Sequence, residues 1–245
     1  MQKNGEHRQQ VADKIIVALD VGSEAEAYAL VKLLSPPLSY YKVGMKLFTI
    51  CGPRIITRLK KLGAKIFLDL KFHDIPHTVA SAAGIITSYG VDMFNIHLGG
   101  GGEMACAAVE AARETADRKG LPWPLVIGVT VLTSLDAQTL RETGIERSLD
   151  RHAVGLAALG LESGLDGVVA SSQEAPAIRA RCGEDFRIVT PGIRPSWSAR
   201  DDQERVLTPR QALDAGADYL VIGRPIIKHP SPEKAIEKIL AEMYK

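Results

Sequence analysis

Ala215-Gly216-Ala217-Asp218-Tyr219-Leu220-Val221-Ile222 carries the pattern that decides the fold: a helical stretch ends at a glycine, and an apolar run starts just beyond it. Three other segments share this plan: Leu62-Gly63-Ala64-Lys65-Ile66-Phe67, Tyr89-Gly90-Val91-Asp92-Met93-Phe94 and Ser163-Gly164-Leu165-Asp166-Gly167-Val168. Glycine takes a left-handed conformation without a steric cost, so each of these reads as a helix C-cap that turns the chain into a strand. The four glycines are 27, 74 and 52 residues apart, crudely one, two and two repeat units. Working outward, the apolar runs are 15–19, 41–43, 65–70, 92–97, 125–132, 167–170, 187–190 and 219–222. Helical patterns lie between most of them, such as 24–34, 54–62, 104–116 and 174–181. Strands this uniformly apolar belong in a parallel sheet covered on both faces. Eight of them point to a (β/α)8 (TIM) barrel of the α/β class. A doubly wound open sheet would give a similar alternation, but no Gly-x-Gly-x-x-Gly follows the first strand.

At 245 residues with 46% hydrophobic and 24% charged side chains, one domain spanning 1–245 is expected, with a polar N-terminal extension over 1–13. Thirty Lys and Arg balance 29 Asp and Glu, which speaks against a nucleic-acid binder with a strongly basic face. Three widely spaced cysteines fit neither a disulfide framework nor a zinc ribbon. The start is polar, and no apolar run reaches the roughly 18 residues of a membrane helix, so a cytoplasmic location without membrane partners is expected.

Two stretches break the rhythm. The segment 191–208 is long, polar and aperiodic, and follows the seventh strand; it reads as an active-site lid loop or as a plain surface insertion. Gly99-Gly100-Gly101-Gly102 reads as permissive backbone, close to a ligand or simply a flexible turn.

In a barrel the carboxyl ends of the strands face the site, and charges there are costly unless used. Asp20 ends the first strand, Lys42 lies on the second, and the third ends Asp69-Leu70-Lys71-Phe72-His73-Asp74-Ile75-Pro76. The two-residue spacing of Asp69 and Lys71 predicts that both face the same side. Any one of these charges alone would read as a rim salt bridge; alternating around one rim, they point to chemistry. Gly223-Arg224 after the eighth strand, with Arg194 and Gln203 in the long loop, predicts a phosphate grip. His73 and His77 invite a metal reading, but Pro76 between them disfavours a helix face presenting both. Cys51 and Cys106 are expected to be buried packing residues. Neither a Gly-x-Ser-x-Gly elbow nor a Walker loop is present.

These motifs, together with Ala18-Leu19-Asp20, Lys42-Val43-Gly44, Val129-Thr130-Val131-Leu132-Thr133-Ser134, Thr190-Pro191-Gly192-Ile193-Arg194-Pro195 and Val221-Ile222-Gly223-Arg224-Pro225, resemble the bacterial-type orotidine 5′-phosphate decarboxylase family, part of the orotidine/ketogulonate phosphate decarboxylase suprafamily. The resemblance runs from the first strand to the eighth. Metal-using relatives of the suprafamily carry an acidic residue on strand two, where this chain has Lys42. The resemblance therefore implies a metal-free, cofactor-free decarboxylase of orotidine 5′-phosphate with Lys71 as proton donor. It further implies that Asp69 faces the substrate carboxylate, that Asp20 and Lys42 hold the ribose, and that Thr133 reads the pyrimidine edge. Pro191, Arg194, Gln203, Gly223 and Arg224 would form the lid and phosphate grip. Asp74 and Thr78, with Ile75 as a further substrate contact, imply a homodimer in which Asp74 and Thr78 enter the neighbouring subunit's site. His77 stands where the family usually has asparagine, and the four glycines after His97 are a second departure.

Overall fold

The computed structural model describes residues 2–198 and 207–244. Strands β1 (Ile15–Ala18), β2 (Tyr40–Gly44), β3 (Lys65–Phe72), β4 (Met93–His97), β5 (Leu125–Val129), β6 (Gly167–Val169), β7 (Arg187–Thr190) and β8 (Tyr219–Ile222) follow one another around a closed parallel barrel. The eighth returns to the first, with Ile16 opposite Val221. Helix α1 (Gln2–Ala12) precedes the barrel. Around it lie α2 (Glu24–Leu34), α3 (Met45–Cys51), α4 (Arg54–Lys60), α5 (Pro76–Ser88), α6 (Gly101–Lys119), α7 (Ala137–Glu142), α8 (Leu149–Glu162), α9 (Ala175–Cys182), α10 (Pro209–Asp214), α11 (Arg224–Ile227) and α12 (Pro232–Met243).

The period of two along each strand sorts side chains into two layers. One set, including Ile16, Tyr40, Phe67, Met93, Ile127, Val189 and Val221, fills the barrel interior. The alternate set, including Val17, Tyr41, Ile66, Phe94 and Ile188, packs outward against the helices. Both layers are apolar, which is why the strands read as unbroken hydrophobic runs.

The Gly-x-Asp repeat has a physical basis. Gly63, Gly90, Gly164 and Gly216 all have positive φ, between +75° and +101°, as a left-handed cap requires. Two residues on, the carboxylate of Asp92 accepts the backbone N–H of Ile66 on the preceding strand (2.7 Å). Asp166 accepts from Val126 (2.7 Å) and Asp218 from Ile188 (2.8 Å) in the same way. Each carboxylate also meets a cation: Lys60 at 2.8 Å, Arg113 at 3.8 Å and Arg179 at 2.7 Å, respectively. Lys65 takes the equivalent position at the start of β3, which therefore lacks this staple.

Several expectations change. The polar N-terminal extension is largely helical, its Ala12 fully buried, its Gln9 Nε2 donating to the Pro37 carbonyl and its His7 packed on Tyr244. β5 ends at Val129, three residues short of the apolar run, and β3 continues two residues beyond its run to Phe72. The four glycines form a tight 3-10 turn, Leu98–Gly100, and the start of α6. The turn is packed rather than loose: a Cβ on Gly100 would collide with Met104 Sδ. Cys51 is buried, but Cys106 is exposed, because the buried stripe of α6 runs through Ala105, Ala108 and Ala112 and Cys106 falls off it. In the long loop after β7, Ile193 bridges Leu207, and the Arg194 N–H donates to the Leu207 carbonyl (3.0 Å), tying the two flanks together. Gln203 lies outside the described residues.

Candidate active site

At the carboxyl end of the barrel the interior side chains turn from apolar to charged. Asp20 follows β1, Lys42 comes from β2, Asp69 and Lys71 from β3, and Asn95 from β4. Lys42 Nζ lies 3.4 Å from Asp20 Oδ1 and 3.2 Å from Asp69 Oδ2. Lys71 Nζ reaches Asp69 Oδ1 at 2.6 Å. The result is an ordered chain, carboxylate–ammonium–carboxylate–ammonium. The side chains of Lys42 and Asp69 are 11% and 13% exposed, so their attraction is little screened by water.

Asp69 shows how the balance falls. Burial pushes its pKa up, but the ammonium groups of Lys42 and Lys71, with hydrogen bonds from Lys71 and Asn95, outweigh burial and hold the carboxyl below its usual range. Beside Lys71, His73 and His97 stack with ring centroids 5.2 Å apart. Burial first, then the charges of His73 and Lys71, lowers the pKa of His97, which favours the neutral ring. Gly44 leaves room for the network, since a Cβ there would stand 2.9 Å from Lys42 Nζ. Gly223, after β8, closes the circle: a Cβ on it would lie 3.7 Å from Asp20 Oδ2.

Lys42, Asp69, Lys71, Thr133, Pro191 and Val221 line a cavity of about 150 Å³ at this end of the barrel. Larger clefts lie elsewhere, among them one of about 520 Å³ between α5 and α6, one of about 450 Å³ lined by Arg194, Arg224, Lys228 and Lys238, and one of about 180 Å³ beside Pro36 and Pro37. The small cavity is the one that contains the converging charges of Lys42, Asp69 and Lys71. The predicted phosphate residues Arg194 and Arg224 both line the basic cleft, each three residues beyond a residue that lines the small cavity, Pro191 and Val221.

Asp20, Lys42, Asp69, Lys71, Thr133, Pro191 and Gly223 are therefore brought together. Asp74, Ile75 and Thr78 are not: all three are exposed around the start of α5, with Ile75 66% exposed. His73 and His77 also diverge, His73 onto His97 and His77 into the cleft between α5 and α6. Sequence reasoning missed Asn95. Its one signal was an amide at an inward position in the apolar run Met93-Phe94-Asn95-Ile96.

Fold and site define a (β/α)8 barrel with an alternating chain of carboxylates and ammonium groups at its strand ends. The model of the Orotidine 5′-phosphate decarboxylase / HUMPS family matches residues 13–239, and the chain belongs to that family. It is 52% identical to the orotidine 5′-phosphate decarboxylase of Moorella thermoacetica, covering 96% of this chain and 94% of that one. To the orotidine 5′-phosphate decarboxylase of Syntrophomonas wolfei it is 49% identical, covering 96% and 99%. The crystal structure of orotidine 5′-phosphate decarboxylase from Lactobacillus acidophilus superposes with a TM-score of 0.84 at 34% identity, over 95% of this chain and all of that one.

Proposed function

We propose that this chain decarboxylates orotidine 5′-phosphate to uridine 5′-phosphate, a step of de novo pyrimidine biosynthesis, without metal or organic cofactor. The observation that carries this reading is the partly buried Asp69–Lys71 pair, 2.6 Å apart, with Lys42 on its far side at the cavity. Breaking the ring-carbon–carboxylate bond releases carbon dioxide and leaves the electron pair on a ring carbon with no electron sink. A fixed ammonium beside that carbon stabilises the charge and then supplies the proton. Lys71 has that role, and solvent afterwards restores its proton. Asp69 faces the departing carboxylate and raises the energy of the bound ground state. In the chain of charges, Lys42 Nζ lies between Asp20 and Asp69, on the strand where the resemblance gives metal-using relatives an acidic residue instead.

Asp20 and Lys42 hold the ribose hydroxyls, Thr133 reads the pyrimidine edge, and Pro191, Arg194, Gln203, Gly223 and Arg224 form the lid and phosphate grip, lending remote binding energy to closure. The active form is a homodimer. Asp74 and Thr78, exposed at the start of α5, reach the neighbouring subunit's site, with Asp74 joining its catalytic charges and Ile75 a further substrate contact. The exposed Ile75 and Ile85 and the cleft between α5 and α6 support this face as the contact. The whole chain, 1–245, acts as one domain in the cytoplasm; among the described residues no helix is long and apolar enough to cross a membrane.

The test is to follow the absorbance change when the purified protein meets orotidine 5′-phosphate in excess chelator. Turnover supports the reading, whereas activity that disappears on chelation and returns with magnesium overturns the metal-free mechanism.

A further inference from the structure

The strand that carries the reactive pair is irregular where the pair sits. β3 and β4 are in register at Leu68 opposite Phe94 and again at Phe72 opposite Ile96. Four steps along β3 therefore match two along β4, and the excess chain is the Asp69-Leu70-Lys71 segment, a bulge. Among the described residues Lys71 is the one non-glycine with positive φ, at +54°, a conformation disfavoured for a residue bearing a Cβ. A bulge removes backbone groups from the ladder and leaves them to be satisfied otherwise.

One side chain does this. Asn95 sits on β4 between the two in-register positions and is 0% exposed. Its Oδ1 accepts the Lys71 backbone N–H at 2.8 Å, and its Nδ2 donates to Asp69 Oδ1 at 2.7 Å. That same oxygen receives Lys71 Nζ at 2.6 Å. A primary amide suits this place because it offers an acceptor and a donor side by side; a carboxylate offers only acceptors, and an aliphatic side chain offers neither.

We propose that Asn95 is a positioning residue for the decarboxylation: it pins the strained Lys71 backbone with one end of its amide and the Asp69 carboxylate with the other, setting the direction in which the ammonium meets the reacting carbon. The inference rests on the function proposed above and adds a residue to it. Asn95 touches no substrate and works through the two groups it holds.

The consequences differ from those of a packing residue. A misplacement of about 1 Å costs on the order of a hundredfold in rate while leaving ground-state binding nearly intact. Asn95→Ala is therefore expected to lower kcat roughly a hundredfold with little change in KM. Asn95→Asp, close to the same shape, keeps the acceptor for Lys71 N–H but turns an oxygen toward Asp69 Oδ1, so two carboxylates compete for one site. The acid limb of kcat/KM should then move to higher pH. Lys42 and Lys71 on Asp69, Asp20 on Lys42, and His97 and His73 near Lys71 also face this region, but only Asp69 among them shares a side-chain hydrogen bond with Asn95.

The experiment measures kcat, KM and the pH profile of wild type, Asn95→Ala and Asn95→Asp on orotidine 5′-phosphate, with rates expressed per folded site from a uridine 5′-phosphate titration. A fall in kcat at near-constant KM, with the acid limb displaced in Asn95→Asp, bears the inference out; if Asn95→Ala does not fold, Asn95→Asp decides. Variants whose kcat and pH profile match an active wild type overturn this inference alone. An inactive wild type overturns the functional reading, and this inference with it.

Discussion

The two ends of the barrel use the same residue types for opposite purposes. At the amino-terminal end, Asp92, Asp166 and Asp218 each accept a backbone N–H from the preceding strand while pairing with a cation, Asp218 with both Arg179 and Arg187. Those carboxylates are engaged by the fold itself. At the carboxyl-terminal end, Asp20 and Asp69 meet the ammonium groups of Lys42 and Lys71 across a cavity. A carboxylate committed to the backbone closes a hydrogen bond between strands, at Asp166 against a burial that raises its pKa, whereas a charge held by other side chains remains available to a ligand. The difference predicts that mutations at the amino-terminal end change stability without changing the reaction per folded molecule, and that those at the other end act mainly on the reaction and only slightly on stability.

The sharpest way to break this division is Lys71→Ala. It removes the proposed proton donor, so kcat should fall by at least about a thousandfold while the thermal midpoint stays near wild type. Near-normal turnover would sink both the mechanism and the contrast. Asp218→Ala is the counterpart. It deprives the Arg179 guanidinium of its nearer carboxylate and leaves the Ile188 N–H unsatisfied, at a cost of about 3 kcal/mol. For a chain of this size that lowers the melting temperature by roughly 6–12 °C. Calorimetry checks the midpoint, and an unchanged rate per folded site is the expected companion result.

Arg224→Ala should weaken uridine 5′-phosphate by about tenfold to a hundredfold, the worth of a charge-assisted contact, and uridine itself far less. Equal losses on titration would place the phosphate elsewhere. The smallest effect concerns acid. Because the folded pKa of Asp69 is depressed, its contribution to stability is fully present above the unfolded value of about 3.9 and is lost as pH falls through the lower folded value. Urea unfolding of wild type should therefore lose stability more steeply toward low pH than Asp69→Asn. Parallel slopes would show that the carboxyl gains nothing from its neighbours.

The parts of this molecule that could be read in advance are those where one local rule acts alone. β7 and β8 begin and end where their apolar runs do, at residues 187–190 and 219–222, and α2 spans 24–34 as its periodicity requires. α1 was not visible because its sequence has no apolar stripe; distant partners such as Pro37 and Tyr244 receive it. The meeting of Asp69 and Lys71 was expected from a regular two-residue pleat, and they do meet. The route is different, however: the strand bulges and Lys71 turns left-handed. A bulge is a relation between two strands, so no pattern within one of them announces it. Asn95 stayed hidden for the same reason, since its importance comes from an N–H that another strand fails to satisfy.

The pairing of β1 with β8 sets a condition on the protein's synthesis. Asp20 enters at the start of the chain, and Gly223, its neighbour across the seam, emerges more than two hundred residues later. A nascent chain that has not yet released β8 carries most of its charged groups already, but its ring is open and the wall beside Asp20 is missing. A chain lacking β8 would therefore hold Asp20 without the strand that closes the ring beside it.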